Sequence, residues 1–300
     1  MQRVKILLAS YNGEKYISEQ ITSILNQKEV LVEVDISDDG SVDKTLNIVN
    51  TEFPSISTCV NHPGTGSAAK NFLQMVAKLD LDQDYEFIAF SDQDDVWLPE
   101  KMISAIKLLS GNNASLYCSN LTKWETNTDS YSLLKKDFPQ RKFDYLFEGG
   151  SAGCTYVFTK VFAKSMQIFL QDLNTANWKG FSHDWLVYFF ARANNYKVII
   201  DGHSHIHYRL HETNVHGHLN KLSWATVKEK SAEVLKGYYQ SHAFNYIKYL
   251  NKNSEAYHIY KKFLSGYFSR NFVIWRYNFQ LMRDKKKFLI FALLNLLKFR

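Results

Sequence analysis

The sequence predicts an α/β fold, with an open, mostly parallel sheet, helices on both faces and a helical C-terminal region. Two observations carry this. Over the first 120 residues, short apolar or alternating runs are separated by stretches whose apolar residues recur every three or four positions, the pattern of strands alternating with helices. From about residue 221 onward the helical pattern continues, rich in aromatic residues and without strand signals. The expected division is therefore 1–220 and 221–300.

Each element follows from local pattern. Residues 3–9 form an apolar run that stops at Ser10-Tyr11-Asn12-Gly13, a turn signal. Tyr16, Ile17, Gln20, Ile21, Ile24 and Leu25 then recur with helical spacing. Val32, Val34 and Ile36 alternate as in a strand, which ends at Ser37-Asp38-Asp39-Gly40-Ser41. Asp43 suits the cap of a helix carrying Leu46 and Val49. Residues 56–60 read as a short strand, and Ser67 as the cap of a helix holding Phe72, Met75, Val76 and Leu79. Residues 85–91 are an apolar strand ending at Asp92-Gln93-Asp94-Asp95. Pro99-Glu100 starts a helix that stops at Gly111-Asn112. Strand-like residues follow at 114–118 and again at 196–200.

Composition narrows the partners. Hydrophobic residues make up 45% of the chain, enough for a sizeable core and too many for a disordered segment. The formal charge of +6 favours anionic partners: nucleotides, anionic lipids or nucleic acid. Nucleic acid drops out, because the basic residues are dispersed and no matching motif is present. Cys59, Cys118 and Cys154 are far apart and odd in number, which excludes a disulfide framework and suits a reducing cytoplasm. The start is too short an apolar run for a signal peptide. No apolar stretch reaches the roughly eighteen residues of a spanning helix.

In a parallel sheet, ligands bind outside the carboxyl ends of the strands. Here those ends carry Ser10-Tyr11-Asn12, then Asp38-Asp39, then Asp92-Gln93-Asp94-Asp95. Three aspartates within four residues repel one another. A hard divalent cation bound by oxygen, Mg²⁺ or Mn²⁺, relieves that repulsion and completes its shell with substrate phosphates. A solvated acidic turn, with Asp95 capping the helix at Pro99, is the competing reading.

These segments carry a resemblance. Ala9-Ser10-Tyr11-Asn12-Gly13, Ser37-Asp38-Asp39-Gly40-Ser41-Val42-Asp43-Lys44-Thr45 and Ser91-Asp92-Gln93-Asp94-Asp95-Val96-Trp97, in this order, resemble family 2 of the glycosyltransferases, which have the GT-A fold. The form Asp-Gln-Asp-Asp-Val-Trp looks most like the bacterial rhamnosyltransferase-like branch, and the match extends over roughly residues 1–215. The resemblance implies that Ser10, Tyr11 and Asn12 border the nucleotide and that Asp39 accepts a hydrogen bond from its pyrimidine. It implies that Asp92 faces the ribose and diphosphate, that Asp94 binds the metal, and that Lys70 lies near the nucleotide or diphosphate. Asp184, in Ser182-His183-Asp184-Trp185, matches the family's general base, with His183 where an acid is common. An N-cap is the other reading of Asp184.

The loop Gly149-Gly150-Ser151-Ala152-Gly153-Cys154 resembles one whose small residues let sugar or acceptor approach. An ordinary flexible turn fits it equally. His203, His205 and His207 alternate and would share one face of a strand. Zinc is disfavoured there, since no acidic or cysteine ligands accompany them at a suitable spacing. His207-Tyr208-Arg209-Leu210-His211 resembles a late motif of the same branch. From it, His211 rather than His207 is the expected metal ligand, and Arg209 the expected contact to the diphosphate.

The tail sets Phe288 to Leu297 between Lys285-Lys286-Lys287 and Lys298-Phe299-Arg300. Residues 288–299 as a helix reach about 18 Å, short of the roughly 30 Å of a bilayer core. An interfacial anchor, a core helix and an oligomer contact all remain open.

The resemblance implies an inverting, metal-dependent transferase acting in bacterial surface polysaccharide synthesis at the inner face of the plasma membrane. The expected donor is deoxythymidine-diphosphate rhamnose, and the expected acceptor a glycan or polyprenyl-linked glycan. A uridine-diphosphate hexose transferase and, further off, a sugar nucleotidyltransferase are the alternatives. The latter usually opens with a Gly-rich phosphate loop, where this chain has Ser10-Tyr11-Asn12-Gly13-Glu14.

Overall fold

The computed structural model describes residues 1–210, 232 and 234–298. They form two compact units: 1–137 with 150–173 and 183–211, and 138–149 with 174–182 and 212–300. The expected boundary at 220/221 falls outside the described residues. Packing assigns two internal segments, 138–149 and 174–182, to the C-terminal unit.

The first unit opens with β1 (Gln2–Ser10), α1 (Ile17–Leu25), β2 (Val30–Asp38), α2 (Thr45–Glu52), β3 (Ser57–Val60), α3 (Ala68–Lys78) and β4 (Phe87–Asp92). It continues through β5 (Val96–Trp97), α4 (Lys101–Gly111), β6 (Leu116–Glu125), β7 (Ser130–Leu134), β8 (Val157–Thr159), α5 (Lys160–Gln171), α6 (His183–Ala193) and β9 (Val198–Leu210). The sheet runs β3-β2-β1-β4-β8-β6-β9-β5, with β7 beside β6. β1 to β4 make the parallel part, while β8 lies antiparallel to both β4 and β6.

β1 reads as a continuous apolar run because it is central and covered on both faces: Val4, Ile6, Leu7 and Leu8 are all buried. α1 buries Ile17, Ile21 and Ile24, and α3 buries Phe72, Leu73 and Val76. Each such side chain contributes about 1.5–3 kcal/mol by leaving water. This packing fixes the strand register, which sets Ser10 opposite Asp38 and Ala9 opposite Asp92. The polar ends of β1, β2 and β4 are thereby level on one rim.

β6 and β9 are longer than their apolar segments suggest. They pair in parallel with each other, with register shifts around Asn120 that break the alternation a sequence pattern can show.

The second unit contains α7 (Tyr238–Tyr246), α8 (Glu255–Leu264), α9 (Tyr267–Tyr277) and α10 (Lys285–Leu297). Phe147, from the segment 138–149, sits among the rings of Tyr239, Tyr260, Phe263 and Phe291. Beside it, buried Glu148 accepts from Arg283 Nε at 3.3 Å and Lys287 Nζ at 3.0 Å. Trp178 donates to His242 Nδ1 at 2.8 Å, tying the other segment to α7. α10 buries Phe288, Phe291, Ala292 and Asn295 and exposes Leu289, Ile290, Leu293 and Leu297. One face of the tail is therefore core. Among the described residues, no helix is long and apolar enough to cross a membrane.

Candidate active site

The rim is organised by carboxylates. Asp38 is buried and turned inward: it accepts from Ser10 Oγ (2.8 Å), Ser41 Oγ (2.6 Å) and the backbone amides of Gly40 (3.1 Å) and Ser41 (2.7 Å). This holds the β1 and β2 ends together and also directs the Ser10 hydroxyl inward, so Ser10 meets the rim through its backbone. Asn12, at φ +48°, accepts from Val42 N and donates its own amide to Ser41 Oγ. Tyr11 is exposed. Asp39 is half-buried and accepts from Thr65 N (2.6 Å), Gly66 N (2.9 Å) and Asn61 Nδ2 (3.3 Å). A carboxylate accepts about four hydrogen bonds, so Asp39 keeps capacity for one more donor. A Cβ on Gly64 would come within 2.4 Å of the Asp39 carbonyl, which is why that loop opens with glycine.

The acidic run divides by direction. Gln93 Nε2 donates to the Tyr11 carbonyl at 2.9 Å, and Gln93 Oε1 accepts from Tyr11 N at 2.8 Å. Gly13 makes room for this, since a Cβ there would sit 2.3 Å from Gln93 Oε1. Asp92 is half-buried, and burial together with repulsion from Asp94 and Asp184 pushes its carboxyl up to about 7. Asp95 is fully buried beside the Cys154 thiol. Burial, then Asp94 and Asp92, hold it well above the ordinary carboxylate range. It does not cap the following helix: α4 starts at Lys101 with Glu100 at the N-cap position. Next to Asp95, the buried Lys101 ammonium lies 3.5 Å from the centroid of Trp97, and burial lowers it to about 7.

Arg209 closes this side. It is buried, its guanidinium lying 4.7 Å from the Tyr16 ring and 4.3 Å from the Trp124 ring. Nε donates to the Asp94 carbonyl at 3.0 Å, and Glu19 pairs with Nη2. Arg209 thus holds the backbone of the acidic run.

On the opposite side α6 places Asp184 in its first turn, its carboxylate accepting from Trp185 N at 2.7 Å and its carbonyl from Tyr156 Oη at 3.0 Å. His183 turns inward, stacked on Phe72 at 4.5 Å and edge-on to Phe90. A Cβ on Gly153 would lie 2.0 Å from His183 Nε2, and one on Gly150 would meet Tyr188, Tyr156 and Cys118. The small residues of this loop therefore admit side chains of the protein itself.

The donor set fits a hard cation at Asp92 and Asp94, which crowd each other and Asp184. Asp92, Asp95 and Cys154 also bring ligand atoms within 4.8 Å of one another. Burial, followed by the two aspartates, holds the Cys154 thiol well above its ordinary value. A soft sulfur ligand is ill suited to Mg²⁺ or Mn²⁺, which prefer oxygen. Cys154 and Asp95 are buried, and the half-buried carboxylates that could hold such an ion are Asp92 and, outside that cluster, Asp94.

Of the residues singled out in the sequence, Ser10, Tyr11, Asn12, Asp39, Asp92, Asp94, Asp184 and Arg209 come together in the first unit. Lys70 is exposed on the first turn of α3. His211 lies outside the described residues. His207 packs against Tyr131 at 4.9 Å and Trp124 at 6.3 Å. His203 is paired with Asp201 at 3.0 Å. Gln93, Asp38 and Gly153 lie in segments that the sequence marks, but their parts in bracing the rim and seating His183 do not follow from it. Their signal is geometric, although Gly13 and Gly153 hint at close approach.

A GT-A-type α/β sheet with acidic strand ends and a carboxylate facing them defines a nucleotide-sugar-dependent glycosyltransferase. The chain belongs to glycosyl transferase family 2, whose model matches residues 5–168, and to its rhamnosyltransferase-like members. It is similar to the dTDP-rhamnosyl transferase RfbG of Shigella flexneri, with 40% identity over 211 residues, 69% of this chain and 72% of that one. It is also similar to WfgD of Escherichia coli, a UDP-Glc:alpha-D-GlcNAc-diphosphoundecaprenol beta-1,3-glucosyltransferase. There the identity is 30% over 158 residues, covering 51% of this chain and 58% of that one. The fold matches Staphylococcus aureus TarS 1–349 with a TM-score of 0.56 and 15% identity, over 98% of this chain and 90% of that one. That protein has also been solved with UDP and with UDP-GlcNAc.

Proposed function

We propose that the chain transfers rhamnose, with inversion, from deoxythymidine-diphosphate rhamnose to a lipid-carried glycan during surface polysaccharide synthesis. The observation that carries a transferase reading of the site is the convergence of Asp92, Asp94 and Asp184, close enough for the latter two to raise the carboxyl of the first. The donor is supported by the Shigella relative, a dTDP-rhamnosyl transferase. The diphosphoundecaprenol substrate of the Escherichia coli relative supports a lipid-carried acceptor, and with it a reaction at the inner face of the plasma membrane.

Asp39, with one acceptor position left, takes a hydrogen bond from the pyrimidine. Tyr11 and Asn12 border the nucleotide. Asp94, with Asp92 beside it, would hold Mg²⁺ or Mn²⁺, which supplies positive charge to the departing diphosphate. Asp184 takes the proton of the acceptor hydroxyl as that oxygen attacks the anomeric carbon. His211 remains the proposed further ligand. Arg209 supports the diphosphate side by holding the Asp94 backbone, and Lys70, exposed on the first turn of α3, is the proposed further contact near the nucleotide or diphosphate.

A panel of deoxythymidine- and uridine-diphosphate sugars, scored by release of nucleoside diphosphate with and without Mn²⁺, tests this. Release from deoxythymidine-diphosphate rhamnose, dependent on metal, is expected. Preference for a uridine-diphosphate hexose would transfer the assignment to the hexosyl alternative. Release of inorganic pyrophosphate from a nucleoside triphosphate and a sugar phosphate would instead make it a nucleotidyltransferase.

A further inference from the structure

The second unit carries a surface that the proposed chemistry does not use. α9 buries Val273 and Ile274, yet its other side exposes Phe268, Phe272 and Trp275. These follow one another at spacings of four and three and so share one face of the helix. Phe268 is 86% exposed. α10 likewise exposes Leu289, Ile290, Leu293 and Leu297 opposite its buried face. The two helices meet at Trp275, whose ring lies 6.4 Å from that of Phe288. Large aromatic and aliphatic side chains left in water on neighbouring helices mark an interaction surface.

The charge around it is one-sided. Between Glu255 and Lys298 there are nine lysines and arginines; Arg270 and Arg283 are buried and Lys287 is paired with Glu148, which leaves six against two acids, Glu255 and Asp284. Exposed Lys262 stands over the Phe272 ring at 5.8 Å, and Lys285 over Phe279 at 5.6 Å. Exposed Lys286 and Arg276 flank the same helices. Apolar rings bordered by ammonium groups match the boundary between acyl chains and anionic headgroups. A symmetric pairing of two copies would set these basic borders against each other. A helix of thirteen residues reaches about 20 Å, which suits lying on a bilayer and not crossing it.

We propose that α9 and α10 together dock the chain on a bilayer surface containing anionic lipid. The inference deepens, and for its biological setting rests on, the reading that the acceptor is lipid-carried. The surface itself is independent of donor and acceptor, so its test omits both. The full chain is co-sedimented with vesicles of phosphatidylcholine alone and of phosphatidylcholine mixed equally with phosphatidylglycerol. Binding to the mixed vesicles, at least tenfold weaker to the neutral ones and weakened by salt, is expected. Phe272→Ser with Leu293→Ser should lower binding about tenfold, and Lys285→Glu with Lys286→Glu should abolish the preference for phosphatidylglycerol. These positions are exposed, so the circular dichroism spectrum and the thermal unfolding midpoint should be unchanged, which reports a folded chain. Equal binding by native and variant proteins would overturn the proposal. So would a native chain that ignores both vesicles and dimerises through these residues, read by sedimentation velocity.

Discussion

The side-chain amide of Gln93 grips the backbone of Tyr11 at both ends, 2.9 Å from its carbonyl and 2.8 Å from its amide. One residue of the acidic run thereby mimics a strand partner for the first loop. The loop proposed to border the nucleotide and the aspartates proposed to hold the metal cannot move independently.

Gln93→Glu keeps the size but removes the donor to the Tyr11 carbonyl and adds charge beside Asp92 and Asp94. Two neutral hydrogen bonds contribute together about 1–3 kcal/mol. The KM for donor should rise about tenfold or more, with a smaller change in kcat, and calorimetry with nucleoside diphosphate should show the same weakening. An unchanged donor KM would mean that the loop is held by Asn12 and Ser41 alone.

Asp184→Asn preserves the shape of the α6 start and can still accept from Trp185 N. It removes the base. General base catalysis typically contributes about 10²–10⁴-fold, so kcat should fall by that order while affinity for the donor nucleotide stays within about twofold. Single-turnover assays and nucleotide titration check the two halves separately.

Gly153→Ala pushes a methyl group into His183, 2.0 Å from Nε2. Overpacking of this kind costs about 1–3 kcal/mol. Denaturant unfolding should show that loss. Combining it with His183→Ala should recover part of it, giving a non-additive cycle.

Glu148 predicts a pH dependence of the helical unit. Burial alone would raise its carboxyl, but Lys287 and Arg283 outweigh burial and hold it below the usual range. A carboxyl depressed in the folded state stabilises above its unfolded pKa, and that contribution is lost as pH falls through the folded value. Lys287 is shifted the other way: Glu148 and Tyr239 outweigh burial and raise it. Its contribution is complete below the unfolded lysine pKa and lost as pH rises through the folded one. Unfolding midpoints should therefore decline at both acid and alkaline extremes. Glu148→Gln should flatten the acid decline and, by weakening the carboxylate cluster around buried Arg283, which also faces Asp144 at 3.9 Å, destabilise the protein by about 1.5–3 kcal/mol.

The parallel part of the sheet was legible because its central strand is buried on both faces and its strands end in turn residues. Its rim residues were legible for the same reason, since strand ends place Ser10, Asp39 and Asp92 side by side. β8 and β5 were not, being three and two residues long and defined by pairing partners distant in sequence. The inward turn of Asp38 and Asp95 was equally hidden. A carboxylate in a polar run looks the same whether it faces a ligand, four hydrogen-bond donors or a buried thiol. The glycine loop could be read as room for substrate because nothing in sequence announces that His183 and Tyr188 fill the space.

The helical unit is closed by segments 138–149 and 174–182, drawn from the middle of the chain. It is therefore not an appendage that gene fusion could add or a stop codon could remove. A chain ending near residue 220 would strand Phe147 without Phe263 and Phe291, and Glu148 without Arg283. A ribosome must finish the last helix before the middle of the protein can settle, so the catalytic unit and the helices share one folding history.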